Sequence, residues 1–387
     1  MTATEERLRR WRLILGGEGA DGTGCSLAGR DVEMDRTLSA LYGDQERSAG
    51  LGGSAPRVAR WLGDIRSFFP SSVVRVMQKD ALERLNLRQM LLQPEMLEAV
   101  EPDVHLVADL VALGHLLPDQ VRETARQVVR RVVDELQRKL ANPLRQAVMG
   151  SLNRAVRNRR PRHNEIDWPR TIRANLRHYQ PEYRTIIPET RIGYGRKRSA
   201  LRHIVLCVDQ SGSMATSVVY SGIFGAVLAS LPAVQTQIVV FDTAVVDLTP
   251  LAQDPVDLLF GTQLGGGTDI PAALTYCRDS IRQPRDTILV LISDLYDGGR
   301  AGATVRLAAE MVQAGVQMVT LLALSDDGAP CYDHQHAAQL AGLGVPSFAC
   351  TPDLFPDLMA AAIERRDLGQ WAAGQGIVTA AGVGRGQ

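Results

Sequence analysis

The sequence predicts an α/β protein in which a mostly parallel sheet flanked by helices follows a mainly α-helical amino-terminal region. Three observations carry that reading. From Ala55 to Asn158 apolar residues recur at steps of three and four, the period of a helix with one buried face. From His203 onward, short apolar runs alternate with helical stretches, the pattern of βα units on a parallel sheet. Hydroxyl and carboxylate residues gather where three of those runs end.

Composition sets the outer bounds. The chain has 387 residues, with 43 Lys plus Arg against 43 Asp plus Glu, so the molecule as a whole is no electrostatic magnet for nucleic acid or anionic membrane. Apolar content of 45% and charged content of 22% exclude a disordered chain. No window is read as reaching the ~18 apolar residues of a membrane helix. Glu5, Glu6, Arg7, Arg9 and Arg10 precede only Leu13-Ile14-Leu15, which lacks the apolar core of a signal peptide. The five cysteines, at 25, 207, 277, 331 and 350, are odd in number and scattered, without C-x-x-C. A reducing, cytoplasmic setting is expected, with Cys207 a small buried thiol.

In chain order, residues 1–158 form the expected helical domain. Gly17 to Gly22 matches G-x-G-x-x-G, but Glu18 and Asp21 would repel phosphate and no strand–helix context surrounds it, so it reads as a flexible loop, as does Gly50 to Pro56. The apolar stripe 121, 125, 128, 132, 136 and 140 resumes at Leu144, Val148, Leu152 and Val156, with Pro143 between as a break or kink. Arg122, Arg126, Arg130 and Arg131 fall on the solvated face. Residues 159–200 read as a connecting arm. Ser151 to Arg202 holds fourteen Lys plus Arg against four Asp plus Glu, interleaved with Trp168, Tyr179, Tyr183 and Tyr194. That mixture could track single-stranded nucleic acid, but no RNA-binding motif or zinc spacing accompanies it. Docking on protein is preferred.

Residues 201–366 are the expected α/β domain. Its strands are read at 204–208, 238–241, 287–292, 316–324 and 345–349, and its helices at 217–230, 269–282, 300–314, 333–342 and 353–366. The segment 243–248 is a candidate antiparallel edge, and 367–387 reads as a flexible tail.

Ligands of such sheets bind beyond the carboxyl ends of the strands. Asp209, Ser211 and Ser213 follow the first run, Thr268 follows Gly265-Gly266-Gly267, and Ser293-Asp294 closes the most apolar run. Two carboxylates and three hydroxyls, with no His or Cys, suit a hard cation, Mg²⁺ above all and Mn²⁺ as a variant. Asp297 is the rival to Asp294, which is preferred because it ends its strand directly. Asp242 and Asp269 could orient hydroxyls or water, and Asp269 could equally cap a helix. Cys331 to His336 holds metal-friendly side chains at a spacing that matches no zinc pattern.

The sequence Asp209-x-Ser211-x-Ser213, then Thr268, then Asp294 resembles the metal-ion-dependent adhesion site of a Rossmann-like von Willebrand factor A (VWA) domain. The resemblance implies that these five residues ligate the metal, some through water, and that a partner's Asp or Glu completes the shell. The third motif reads Asp294-Leu295-Tyr296-Asp297-Gly298 where the family often has Asp-Gly. A helical region ahead of such a domain, with D-W-P-R-T-I-R-A-N-L at 167–176, is similar to the bacterial CoxE-like proteins. That likeness implies a cytoplasmic adaptor working with a MoxR-type AAA+ ATPase on a client protein.

A non-enzyme is expected. The chain has Ser211 where a D-x-D phosphotransferase needs a second aspartate, no G-x-S-x-G elbow, and no Walker lysine after the glycines at 265–267. The rivals are a metal-dependent hydrolase and a nucleic-acid-associated protein binding through 151–202.

Overall fold

The computed structural model describes residues 3–15, 25–42, 55–84, 97–158 apart from 98, 99, 101, 115 and 156, residue 163, 166–194, and 202–380 apart from 233, 263–265, 299–300 and 326–330. The glycine-rich loop at 17–22, residues 50–54 of the loop read at 50–56, the basic run at 196–198, Gly265 and the last seven residues lie outside the described residues, while Ala55 and Pro56 open a helix instead of closing that loop. The chain divides into two compact units, residues 1–132 and 133–387.

The first unit is helical. It carries α1 (Ala3–Leu15), α2 (Arg30–Tyr42), α3 (Ala55–Phe68), α4 (Ser71–Arg84), α5 (Val104–Ala112) and the start of α6 (Asp119–Ala155). The charged opening segment is therefore a helix, tied to α2 by Arg9, which bonds Glu6 on its own turn and Asp31 at 2.7 Å. Asp103 caps α5 by accepting the Leu106 N–H at 2.8 Å. Along α6 the predicted stripe is buried at Val121, Ala125, Val128, Val132, Leu140, Leu144 and Val148, while Leu136 is half-buried. Pro143 does not end the helix, which runs unbroken through it. A proline costs an interior helix roughly 3 kcal/mol; burial of Leu140, Ala141, Leu144 and Val148 around it offsets that local cost.

The second unit continues α6 and then the arm, where β1 (Arg157–Asn158) pairs antiparallel with β4 (Gly193–Tyr194). Between them lie α7 (Trp168–Ala174) and a hairpin of β2 (Tyr179–Gln180) with β3 (Thr185–Ile186). The main sheet follows: β5 (Arg202–Asp209), β6 (Val234–Phe241), β7 (Val245–Asp247), β8 (Thr287–Ile292), β9 (Gln317–Leu324) and β10 (Ser347–Cys350). Their order is β10-β9-β8-β5-β6-β7, all parallel except β7, the antiparallel edge expected at 243–248. Strands covered on both faces need near-continuous apolar runs, and every residue of β8 is buried.

The covering helices are α8 (Ala215–Ala229), α9 (Pro255–Phe260), α10 (Ile270–Ser280), α11 (Ala301–Ala314), α12 (His334–Gly342) and α13 (Phe355–Ile363). Of these, only the short α9 has no counterpart in the sequence reading. On α8, Phe224 stacks on Phe355 with ring centroids 4.4 Å apart. The stretch Gly212–Ala229 is long and apolar enough to cross a membrane by composition, which corrects the sequence reading; 72% of it is buried inside the protein. The presumed tail also carries order. Asp367 caps α14 (Leu368–Gly374), Trp371 lies 6.0 Å from Phe348, and Thr379 bridges back to Phe348.

Candidate metal centre

The sheet brings the two carboxylates to one point. In the chain β5 is followed by β6 and β7 on one side, and β8 then returns to its other side. The loops after β5 and β8 therefore diverge, and such a switch point opens a crevice at the strand ends. Asp209 ends β5 and is fully buried, and Asp294 follows β8 at 5% exposure.

Short hydrogen bonds join the parts. Asp209 Oδ1 accepts the Ser211 N–H at 2.8 Å, and its Oδ2 accepts the Ser293 hydroxyl at 2.7 Å. The Ser211 and Ser213 hydroxyls are 3.3 Å apart, and Ser213 Oγ donates to Asp294 Oδ2 at 2.6 Å. Four of the five sequence-predicted residues thus form one connected cluster. Thr268 is half-buried in the loop before α10, and its hydroxyl bonds no described residue. Its loop is fastened to the same end: the Asp269 N–H donates to the Asp242 carbonyl at 2.7 Å, and the Gln210 N–H to the Phe241 carbonyl at 2.9 Å.

The third loop distinguishes its two aspartates. Asp294 accepts from Ser213, whereas buried Asp297 accepts from Thr304 at 3.1 Å and lies 3.9 Å from His336. Leu295 between them has φ of 67°, a left-handed conformation costly for a side chain with a Cβ. Flanking bonds hold it there. The Leu295 N–H donates to Ser293 Oγ at 3.0 Å. The Asp294 carbonyl accepts from the Asp333 N–H at 2.9 Å, and the Leu295 carbonyl from His336 Nδ1 at 3.1 Å.

Ser293 and His336 are supports that the sequence reading assigned no role. Ser293 stood beside Asp294 in the sequence with nothing to mark which strand end it would face. Of the residues left open, Asp269 caps α10 through the Ala272 N–H at 3.0 Å, and Asp242 accepts the Ala244 N–H at 2.6 Å. In the 331–336 stretch, His334 packs on Tyr332 and His336 is buried; among the described residues no group of three His, Cys, Asp or Glu could hold a metal.

Electrostatics favour a cation at the cluster. Burial pushes the Asp209 carboxyl above its ordinary value, its hydrogen bonds from Ser211 and Ser293 pull it down, and the nearby Asp294 charge pushes it up again. Among the described residues no Lys, Arg or His pairs with Asp209 or Asp294. Two buried carboxylates without a positive partner are costly. Oxygen donors of this kind, with the Ser211 and Ser213 hydroxyls toward solvent, fit a hard divalent ion.

Comparison with known proteins gives the following. The family model for "VWA domain containing CoxE-like protein" matches residues 136–359. The uncharacterized protein YehP of Escherichia coli strain K12 is 38% identical over 358 residues, which covers 90% of this chain and 94% of YehP. Among solved structures, an aerotolerance-related membrane protein from Bacteroides fragilis NCTC 9343, with multiple mutations to serines, is 16% identical; the match covers 43% of this chain and 100% of that one, with a TM-score of 0.33. The conserved hypothetical protein BatB from Bacteroides thetaiotaomicron is 15% identical, covering 45% and 100%, with a TM-score of 0.32.

Proposed function

This chain belongs to the family of CoxE-like proteins that contain a VWA domain, and from that premise we propose that it is a Mg²⁺-dependent protein-binding adaptor. It works in the cytoplasm with a MoxR-type AAA+ ATPase, in chaperone-like remodelling or assembly of a client protein. The observation that carries the reading is the pair of buried carboxylates, Asp209 and Asp294, joined through the Ser211 N–H and the Ser211 and Ser213 hydroxyls and lacking a cationic partner among the described residues.

In this reading Asp209, Ser211, Ser213, Thr268 and Asp294 hold Mg²⁺, with Mn²⁺ as a substitute. Bound there, the ion supplies an electrophilic position that a partner's Asp or Glu fills. Neutral hydroxyls leave more of the ion's field uncompensated than further carboxylates would, so an incoming carboxylate gains more. Ser293 and the Ser211 N–H keep the Asp209 carboxylate oriented, and Ser213 does the same for Asp294. A binding role suits the surroundings better than catalysis. Among the described residues no histidine hydrogen-bonds a hydroxyl of the cluster, the contact a base for Ser211 or Ser213 would need.

The test is a pull-down from native lysate with wild type, wild type plus EDTA, and Asp209→Ala, with folding checked by circular dichroism. Loss of the AAA+ ATPase or client in the last two supports the adaptor mechanism. An unchanged partner set in all three refutes it.

A further inference from the structure

We propose that the metal site is also filled by this protein itself: Glu182, at the tip of the β2–β3 hairpin of one copy, enters the site of a second copy and joins the chains head to tail. The inference rests on the proposed metal site and names one partner for it.

The hairpin is held firmly at its base and bare at its tip. Asn175 is buried and its amide donates to the carbonyls of Thr171 and Thr190, while its Oδ1 accepts the N–H groups of Glu189 and Thr190. Thr171 Oγ1 and the Ile192 backbone exchange two further bonds at 3.0 Å. Asp167 caps α7 through the Arg170 N–H. The D-W-P-R-T-I-R-A-N-L stretch is thus a polar clamp that fixes where the hairpin points. Beyond it an isolated two-stranded hairpin has little intrinsic stability; the hairpin exposes Tyr179 (50%) and Tyr183 (73%), and its flanks expose Leu176 (60%) and Ile187 (58%). Exposed apolar side chains concentrated in one short segment suit a surface that meets another molecule.

The chemistry of the tip selects the occupant. Glu189 is taken by Arg177 at 3.2 Å and His178 at 3.0 Å. Glu182 is exposed and bonds no described residue, so it is the free carboxylate of the hairpin. Arg184 on the same hairpin, with Arg173 and Arg191 in the segments that flank it, likewise lacks an ion-pair partner among the described residues. The rim of the metal site has the opposite character. Asp242, Asp269, Asp333 and Asp353 lie in loops at the same end of the sheet as Asp209 and Asp294. The described residues of those loops (210–214, 242–244, 266–269, 293–298, 331–333, 351–354) include no Lys or Arg. A lone carboxylate on a basic hairpin answers both halves of that surface, the glutamate to the ion and the arginines to the acidic rim. Glu182 makes no hydrogen bond to its own chain's site, and a fixed base lowers the entropy cost of meeting another copy's. The interface is heterologous, so assembly leaves a free hairpin at one end and a free site at the other.

Sedimentation of the full chain at micromolar concentration tests this. In Mg²⁺ the wild type should sediment above its 42.2 kDa monomer and return to monomer in EDTA. Glu182→Gln, Asp209→Ala and the solvent-facing Ser213→Ala, included in case Asp209→Ala does not fold, should each stay monomeric. An equimolar mixture of Glu182→Gln with either site variant should form dimers and nothing larger, since one chain keeps its site and the other its hairpin. Calorimetry should show Glu182→Gln binding Mg²⁺ as the wild type does. A wild type that binds Mg²⁺ yet stays monomeric overturns this inference and leaves the metal site standing, as does a Glu182→Gln variant that assembles normally. A wild type that binds no Mg²⁺ overturns both.

Discussion

Replacing Ser293 with alanine should loosen the metal centre without touching any residue proposed to ligate the ion. The hydroxyl donates to Asp209 Oδ2 at 2.7 Å and accepts the Leu295 N–H at 3.0 Å, and the residue is fully buried. A hydrogen bond to a charged group contributes about 1.5–3 kcal/mol, and a buried backbone N–H left without a partner costs about 1 kcal/mol or more. The expected loss in EDTA is therefore about 3 kcal/mol, which a domain of typical stability, about 5–15 kcal/mol, survives. With saturating Mg²⁺ the ion neutralises Asp209, only the Leu295 share persists, and the loss should shrink to about 1 kcal/mol. The assay is urea unfolding followed by circular dichroism, wild type against Ser293→Ala, in EDTA and in Mg²⁺, comparing midpoints at constant slope. A loss below about 1 kcal/mol in EDTA would sink the account of Asp209. Equal losses in both conditions would show that hydroxyl and ion do not share that carboxylate.

Ser211→Ala combined with Ser213→Ala should abolish the rise in melting temperature that millimolar Mg²⁺ gives the wild type, since a ligand specific to the folded state stabilises by mass action; an unchanged calorimetric affinity would refute the ligand assignment. Asn175→Ala removes the hub of the clamp and should make 179–186 a new site of limited proteolysis while the sheet stays folded; an unaltered digestion pattern would mean that the clamp does not hold the hairpin. Gly225→Ala should lower stability by about 1–3 kcal/mol, because the added Cβ would sit 2.6 Å from Ile238 Cδ1, and a more stable variant would show that the packing yields. The full chain should not shift a short DNA at physiological salt; a sub-micromolar complex that weakens tenfold or more with a few-fold rise in salt would favour the nucleic-acid reading of the arm.

By itself the sequence determined the α/β architecture of the second half and the polar ends of its strands. Strands covered on both faces cannot hide a polar residue cheaply, so β5 and β8 are written as continuous apolar runs and their termini as abrupt Asp and Ser. The edge β7 was legible from a short segment lying close behind the second strand, and the structure pairs it antiparallel with β6. Local rules misled where packing overrode them. Pro143 stays inside a helix that buried neighbours hold, and α14 forms in a Gly- and Ala-rich stretch whose Trp371 finds Phe348. Helix propensity favours alanine at Gly225, whereas the packing places Ile238 Cδ1 2.6 Å from the Cβ it would add, a conflict invisible in the sequence. Gly212–Ala229 was passed over as a membrane-length window because Ser, Thr and Gly interrupt it, and only the fold shows most of it buried inside the protein. The deepest feature of the site was beyond any local pattern. Asp209 and Ser293 are 84 residues apart. A sequence spells how each strand ends, but which ends become neighbours depends on strand order, and that order is settled by how the crossovers pack.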